Sequence, residues 1–223
     1  CYTNEESSDV QFGKIAINAT TRGDVTEANT TGKTVLDESL VPSENDLKVE
    51  VSGNGTTQTW ATYSEFEQAL NEGLTFPSAP HTITLSYGEK GVEGWSKPYF
   101  EGSKTVEVPM YGLSVNADIV VGVANSIVSV ETSEQFDGYF PKSSFKINGV
   151  DWDASKKELL FMNTGEITFT CEAIRPTGKP TTFEGRLLLK AATHHKIVFE
   201  LSTAGKAVVN ITFDDEIVET IEL

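Results

Sequence analysis

Apolar residues recur at every second position in short runs along most of the chain. Ile15/Ile17/Ala19, Leu47/Val49/Val51, Ile83/Leu85/Tyr87, Ile197/Phe199/Leu201 and Val209/Ile211/Phe213 all follow this pattern. A period of two places one face of a strand on a core and the other in water. Between the runs stand turn signals: Asn54-Gly55, Asn148-Gly149 between Phe145–Ile147 and Val150–Trp152, and Ala204-Gly205 before Ala207–Phe213. Asn-Gly supplies the positive φ angles that a two-residue hairpin turn requires. Many short strands with little helical period predict an all-β protein built of Ig-like β-sandwiches.

One stretch departs from this pattern. In Ser64-Glu65-Phe66-Glu67-Gln68-Ala69-Leu70, Ser64 is placed as N-cap with Glu67 three residues on, a capping box, and Phe66 and Leu70 share a face. A short helix is predicted there, in the first sandwich, stopped by Gly73 and Pro77. At 223 residues the chain is long enough for two sandwiches of about 100 residues each. Leu113–Val121 and Ile127–Val130 both read as strands, with Gly122-Val123-Ala124-Asn125 between them. The predicted division is therefore a flexible tether over 1–10, an N-terminal sandwich over 11–123 and a C-terminal sandwich over 124–223, with almost no linker.

Charge narrows the partners. The net charge is −16, from 33 acidic against 17 basic residues. That argues against nucleic acid and against docking on anionic lipid headgroups. No apolar run approaches the roughly 20 residues needed to cross a bilayer as a helix. Cys1 has no methionine before it and is followed by the polar, acidic Tyr2-Thr3-Asn4-Glu5-Glu6-Ser7-Ser8-Asp9. Bacterial lipoproteins are cut immediately before such a cysteine, which then carries lipid, so the expectation is lipid attachment at Cys1. The second cysteine, Cys171, lies in Ile167-Thr168-Phe169-Thr170-Cys171, where alternation places it on the buried face with Ile167 and Phe169. It reads as a small core hydrophobe, with a Cys1–Cys171 disulfide as the alternative.

The search for catalytic chemistry finds no set of residues that fits together. His194-His195 is the single adjacent histidine pair, and neighbours on a strand point to opposite faces. They cannot grip one metal together and read as solvated or edge-strand residues. No Gly-x-Ser-x-Gly elbow, P-loop or His-Glu-x-x-His helix occurs, so neither a cofactor nor a catalytic metal is expected. With 33 acidic residues, carboxylate pairs are too common to single out an acid/base couple. Asp214-Asp215-Glu216 reads as a hairpin turn before calcium is considered. Asp151-Trp152-Asp153-Ala154-Ser155 lacks the glycine and terminal glutamate of an EF-hand loop. Calcium stays open as a minor alternative at both.

The stretch Gly94-Trp95-Ser96-Lys97-Pro98-Tyr99-Phe100-Glu101-Gly102 resembles the Gly-Trp-x-x-Pro-Tyr-aromatic-Glu-Gly pattern of a family of Bacteroides-type lipoproteins carrying a domain of unknown function. Phe12-Gly13-Lys14-Ile15-Ala16-Ile17 and Asp137-Gly138-Tyr139-Phe140 fit the same family, and the resemblance is strongest between Phe12 and Phe140. The wider architecture is similar to fimbrillin-like pilus and adhesion subunits, which implies two tandem transthyretin-like sandwiches. Glu5-Glu6 after Cys1 resembles the signal that sends such lipoproteins to the outer face of the outer membrane.

Trp95, Tyr99 and Phe100 have two readings: a sugar-stacking platform, or a plug closing the end of the first sandwich with Pro98 fixing the loop. Trp60 and Trp152 lie in strand-like segments and are expected in cores. The expected function is a non-enzymatic, surface-exposed outer-membrane lipoprotein acting in adhesion or as a pilus-type component. Its partners would be protein subunits or glycans. The alternatives are a carbohydrate-binding surface protein and, further off, a glycan-active enzyme built on scattered carboxylates.

Overall fold

The computed structural model describes residues 11–28, 32–201, 207–213 and 216–222; for the last two stretches only the backbone is described. Cys1, the tether and the turn residues Ala204-Gly205 and Asp214-Asp215 lie outside the described residues. The protein is all-β, with a few short helices. Its chain groups into two compact units. Among the described residues, the first takes in those up to Gly23, Leu36–Glu89 and Tyr99–Ala124. The second takes in Asp24–Val35, Lys90–Pro98 and the residues from Asn125 onward.

In the first unit, seven strands form one path: Thr56–Trp60, Lys48–Gly53, Pro80–Tyr87, Phe100–Glu107, Ser114–Val123, Phe12–Thr21 and Phe76–Pro77. Neighbours are antiparallel except Phe12–Thr21 and Ser114–Val123, which run parallel from Lys14/Ser114 to Thr21/Val121. The alternation seen in the sequence is the burial pattern: Ile15, Ile17, Ala19, Val49, Val51, Ile83 and Leu85 are buried. Tyr87, the last residue of its strand, is exposed. Asn54 and Gly55 form the expected turn at φ 52° and 76°. Where Phe100–Glu107 meets Ser114–Val123, a Cβ on Gly102 would lie 2.2 Å from the Val120 carbonyl oxygen. The glycine of the Trp-x-x-Pro-Tyr stretch therefore answers a close backbone approach.

The helix is present as Tyr63–Asn71, but its cap is not Ser64. The Glu65 N–H donates to Thr62 Oγ1 at 3.2 Å, and the Ala61 N–H donates to Glu65 Oε2 at 3.2 Å. The capping box is thus Thr62/Glu65, two residues earlier than expected, because Ser64 already has helical neighbours on both sides. At the other end Gly73, at φ 93°, donates to the Leu70 carbonyl while the Leu74 N–H donates to that of Ala69, a Schellman close. Phe66 is fully buried and meets Trp60 edge-on at 5.0 Å.

Among the described residues the second unit has two sheets. One path of strands runs Glu216–Glu222, Ala207–Phe213, Thr193–Leu201, Ser126–Thr132, Leu160–Met162 and Gly94–Trp95. The hairpin Asp24–Glu27/Lys33–Val35 joins Thr193–Leu201 through the pairs Thr26/Thr193 and Glu27/His194. The other sheet is Val150–Trp152, Ser143–Ile147, Gly165–Ile174 and Pro180–Leu189. Val128, Met162, Ile197 and Phe199 of the first sheet share one core with Ile147, Phe169, Cys171, Phe183 and Leu187 of the second, the mark of a sandwich. Ser126–Thr132 again pairs in parallel with a later strand, from Ile127/His194 to Thr132/Phe199. A second helix, Glu134–Tyr139, is capped by Ser133, whose Oγ accepts from the Phe136 N–H at 3.1 Å. It buries Phe136 and its neighbour Phe140, and it was hidden because one apolar turn has no period to read.

Candidate functional site

Trp95, Tyr99 and Phe100 are divided between the two units, Trp95 in the second and Tyr99 with Phe100 in the first. Phe100 begins a strand of the first unit and is 0% exposed, so it offers no ring face to a ligand. Tyr99, half-buried in the same unit, donates through its Oη to Glu101 Oε2 at 2.6 Å. Burial, followed by the Glu101 carboxylate, pushes its pKa up to about 12, so the phenol keeps its proton and acts as a donor. Trp95 belongs to the second unit, where Gly94–Trp95 pairs with Leu160 and Phe161.

There Trp95 meets Trp152. The indole centroids lie 4.9 Å apart at 44°, and both rings are half-buried. Lys156 Nζ stands 5.4 Å from the Trp95 centroid. The loop that carries it is set by Asp153, whose carbonyl accepts from the Lys156 N–H and whose carboxylate accepts from Ser155, which holds its pKa below the usual carboxylate range. The Ser96 N–H donates to the Leu159 carbonyl and completes the frame. Two part-exposed indoles and an ammonium suit stacking of a flat ligand edged with anionic or hydroxyl groups. Trp152 and Lys156 were not legible as its partners, because their meeting depends on Gly94–Trp95 pairing with Leu160–Met162.

The histidines do different work from that expected. His194 and His195 do point to opposite faces, but neither is solvated: they are 6% and 1% exposed. Thr193–Leu201 is an interior strand, and at its start the hairpin Asp24–Val35 pairs along it. His194 Nδ1 lies 2.9 Å from Thr34 Oγ1 and Nε2 lies 2.8 Å from Ser129 Oγ. Thr34 donates to Glu27 Oε1 at 3.1 Å, so its oxygen accepts from Nδ1–H, and Nε2 accepts from Ser129. Burial, followed by the nearby Lys196 charge, pushes the His194 pKa down to about 4. On the core side, His195 Nε2 accepts from the Lys190 N–H at 2.9 Å, and burial lowers its pKa too. The third histidine, His81, is 3% exposed and bonded through Nδ1 to the Ala79 carbonyl. Cys171 is a free thiol in the core with Ile167 and Phe169, and burial drives its pKa up to about 12.

Among the described residues, no group of three or more His, Cys, Asp or Glu side chains converges on a metal-sized site. Asp151 is exposed at the start of the Trp152 loop. A shallow depression of about 430 Å³ opens at one end of the four-stranded sheet, edged by Lys142, Ser144, Glu172, Ile174 and Thr182. No helix among the described residues is long and apolar enough to cross a membrane.

No curated protein matches the chain. A crystal structure of a candidate polysaccharide-binding protein from Bacteroides thetaiotaomicron is similar at TM-score 0.43 and 9% identity, covering 89% of this chain and 96% of the other. A fimbrial assembly protein from Parabacteroides distasonis is similar at TM-score 0.43 and 8% identity, covering 81% and 92%. A candidate adhesin from Bacteroides thetaiotaomicron is similar at TM-score 0.37 and 8% identity, covering 93% and 99%. Residues 11–223 match the family described as a domain of unknown function (DUF4493), and the chain belongs to that family.

Proposed function

We propose that this chain is a non-enzymatic cell-surface protein acting in adhesion or as a pilus-type component. In this reading it is held at the outer membrane by lipid on Cys1 and built from two tandem β-sandwich domains meeting in sequence near residue 123. The observation that carries the reading is where the reactive side chains sit. All three histidines and Cys171 are buried, with the histidines bonded to main chain or hydroxyls, so the groups best suited to acid–base or nucleophilic work near neutral pH serve packing. The parallel strand closure that recurs in both units supports the tandem plan implied by the fimbrillin-like resemblance. The acidic run after Cys1 supports the anchor. The test is adherence of a deletion strain to immobilised mucin, matrix proteins and neighbouring cells. Loss that the intact gene restores supports the reading; unchanged adherence on every surface ends it.

A second reading, glycan capture, is favoured by the part-exposed Trp95 and Trp152 rings beside Lys156. A glycan array probed with the parent and with Trp152→Ala tests it. A hit that the variant loses supports capture at this site; hits that both proteins share, or no hits, count against it.

A further inference from the structure

The longest hairpin of the second unit ends in an open edge. Gly165–Ile174 and Pro180–Leu189 pair residue for residue from Gly165/Leu189 to Ile174/Pro180, with no bulge in the register. Pro180–Leu189 is the last strand of its sheet, and among the described residues its other edge has no partner. A ten-residue edge of regular strand is a template for another strand unless something blunts it. Here Pro180 stands only at the first position, and none of the remaining nine is lysine. The charges it carries, Glu184 and Arg186, are exposed on the outer face and not turned inward. Arg186 also donates to Glu166 of the adjacent strand at 3.2 Å, an exposed pair that leaves other guanidinium N–H groups for a facing carboxylate.

The order of residues along this edge is self-complementary. If a second copy of the strand is laid antiparallel with Gly185 opposite Gly185, Glu184 faces Arg186 of the copy and Arg186 faces its Glu184. On the inner face, Phe183 falls opposite Leu187, and both belong to the core of their own unit. On the outer face, the exposed Leu188 falls opposite Thr182. The axis passes through the one residue of the strand with no side chain, so nothing collides there. Directly opposed residues of antiparallel strands lie on the same face, so this register pairs opposite charges and joins the two inner faces at once. A shift by one residue on one copy would set inner positions against outer ones and lose both matches.

We propose that Pro180–Leu189 is a homodimerisation edge, pairing two copies of this chain about a two-fold axis at Gly185 into one continuous eight-stranded sheet. Such an isologous contact closes on itself and does not propagate into a fibre. The proposal stands apart from the adhesion reading, since a surface protein of any function could pair this way.

The net charge of −16 opposes association at long range, so the measurement belongs at physiological salt, where charges more than about 8 Å apart are screened. Sedimentation velocity from micromolar to millimolar protein should show the 24.3 kDa chain moving to twice that mass. Arg186→Glu and Glu184→Arg, each setting like charges face to face in two symmetric pairs, should weaken the dimer about tenfold or more. The double variant, Glu184→Arg with Arg186→Glu, restores opposite charges and should recover the parent mass distribution. Both positions are exposed, and circular dichroism confirms that each variant folds. A monomer at every concentration, a dimer indifferent to the single reversals, or a double variant no better than the singles would overturn the proposal.

Discussion

The Trp95 and Trp152 indoles lie 4.9 Å apart at 44°, bringing a short strand from the first half of the chain against a hairpin strand of the second unit. Because both rings are only half-buried, each alone carries less than a core aromatic. Trp95→Ala and Trp152→Ala should each lower stability by about 1–3 kcal/mol, below the roughly 3–5 kcal/mol of a fully buried ring. The double variant should lose about 1 kcal/mol less than the sum, the size of a ring–ring coupling. Urea unfolding of the four proteins checks this; strictly additive losses would mean the rings do not interact.

His194 predicts how stability depends on pH. Its folded pKa of about 4 lies below the ordinary imidazole value near 6.5, so the unfolded chain binds the proton first as pH falls. Its contribution is complete above about pH 6.5, shrinks as pH falls toward 4, and amounts to up to about 3 kcal/mol. His195, shifted in the same direction, adds to the trend. His194→Gln should therefore lose less stability than the parent between pH 7 and pH 4.5, as read by denaturation at both values. An equal loss in the two proteins would assign the trend to other groups.

Cys171 should be silent toward thiol reagents in the native protein, because the side chain is 0% exposed and its pKa of about 12 leaves no thiolate at neutral pH. Labelling should follow unfolding, with the rate rising in step with denaturant. Cys171→Ala should cost about 1 kcal/mol, as a small core truncation does. Rapid modification without denaturant would contradict the burial.

The helix cap separates two neighbouring residues. Thr62→Ala removes the acceptor for the Glu65 N–H and should cost about 1 kcal/mol. Ser64→Ala, inside the first turn, should change stability by less than about 0.5 kcal/mol. Thermal melts of the two variants side by side decide it; equal effects would remove the cap from Thr62.

The periodicity of the sequence was enough to identify the all-β class, the inward faces of Ile15–Ala19, Val49–Val51 and Ile83–Leu85, and the turns at Asn54-Gly55 and Asn148-Gly149. It also put Cys171 beside Ile167 and Phe169. Each of these rests on interactions within a few residues, where alternation and turn chemistry act directly. The helix was visible from Phe66 and Leu70, but its cap was misplaced because serine and threonine both cap and the pattern does not say which stands just outside the first turn.

What tertiary structure alone decided is where distant segments pair. Nothing local in Asp24–Val35 or Gly94–Trp95 shows that they join the sheet of the second unit, since a short strand has the same pattern whichever neighbour it meets. The pairing of Asp24–Val35 lies beside the start of Thr193–Leu201, where the two histidines that read in the sequence as solvated or edge-strand residues are both enclosed. The pairing of Gly94–Trp95 sets Trp95 against Trp152, so the aromatic run that looks like one site in the sequence is divided between two units. The backbone hydrogen bonds that join strands are common to every residue, so a run of two to four residues has too few side chains to record which distant strand it meets.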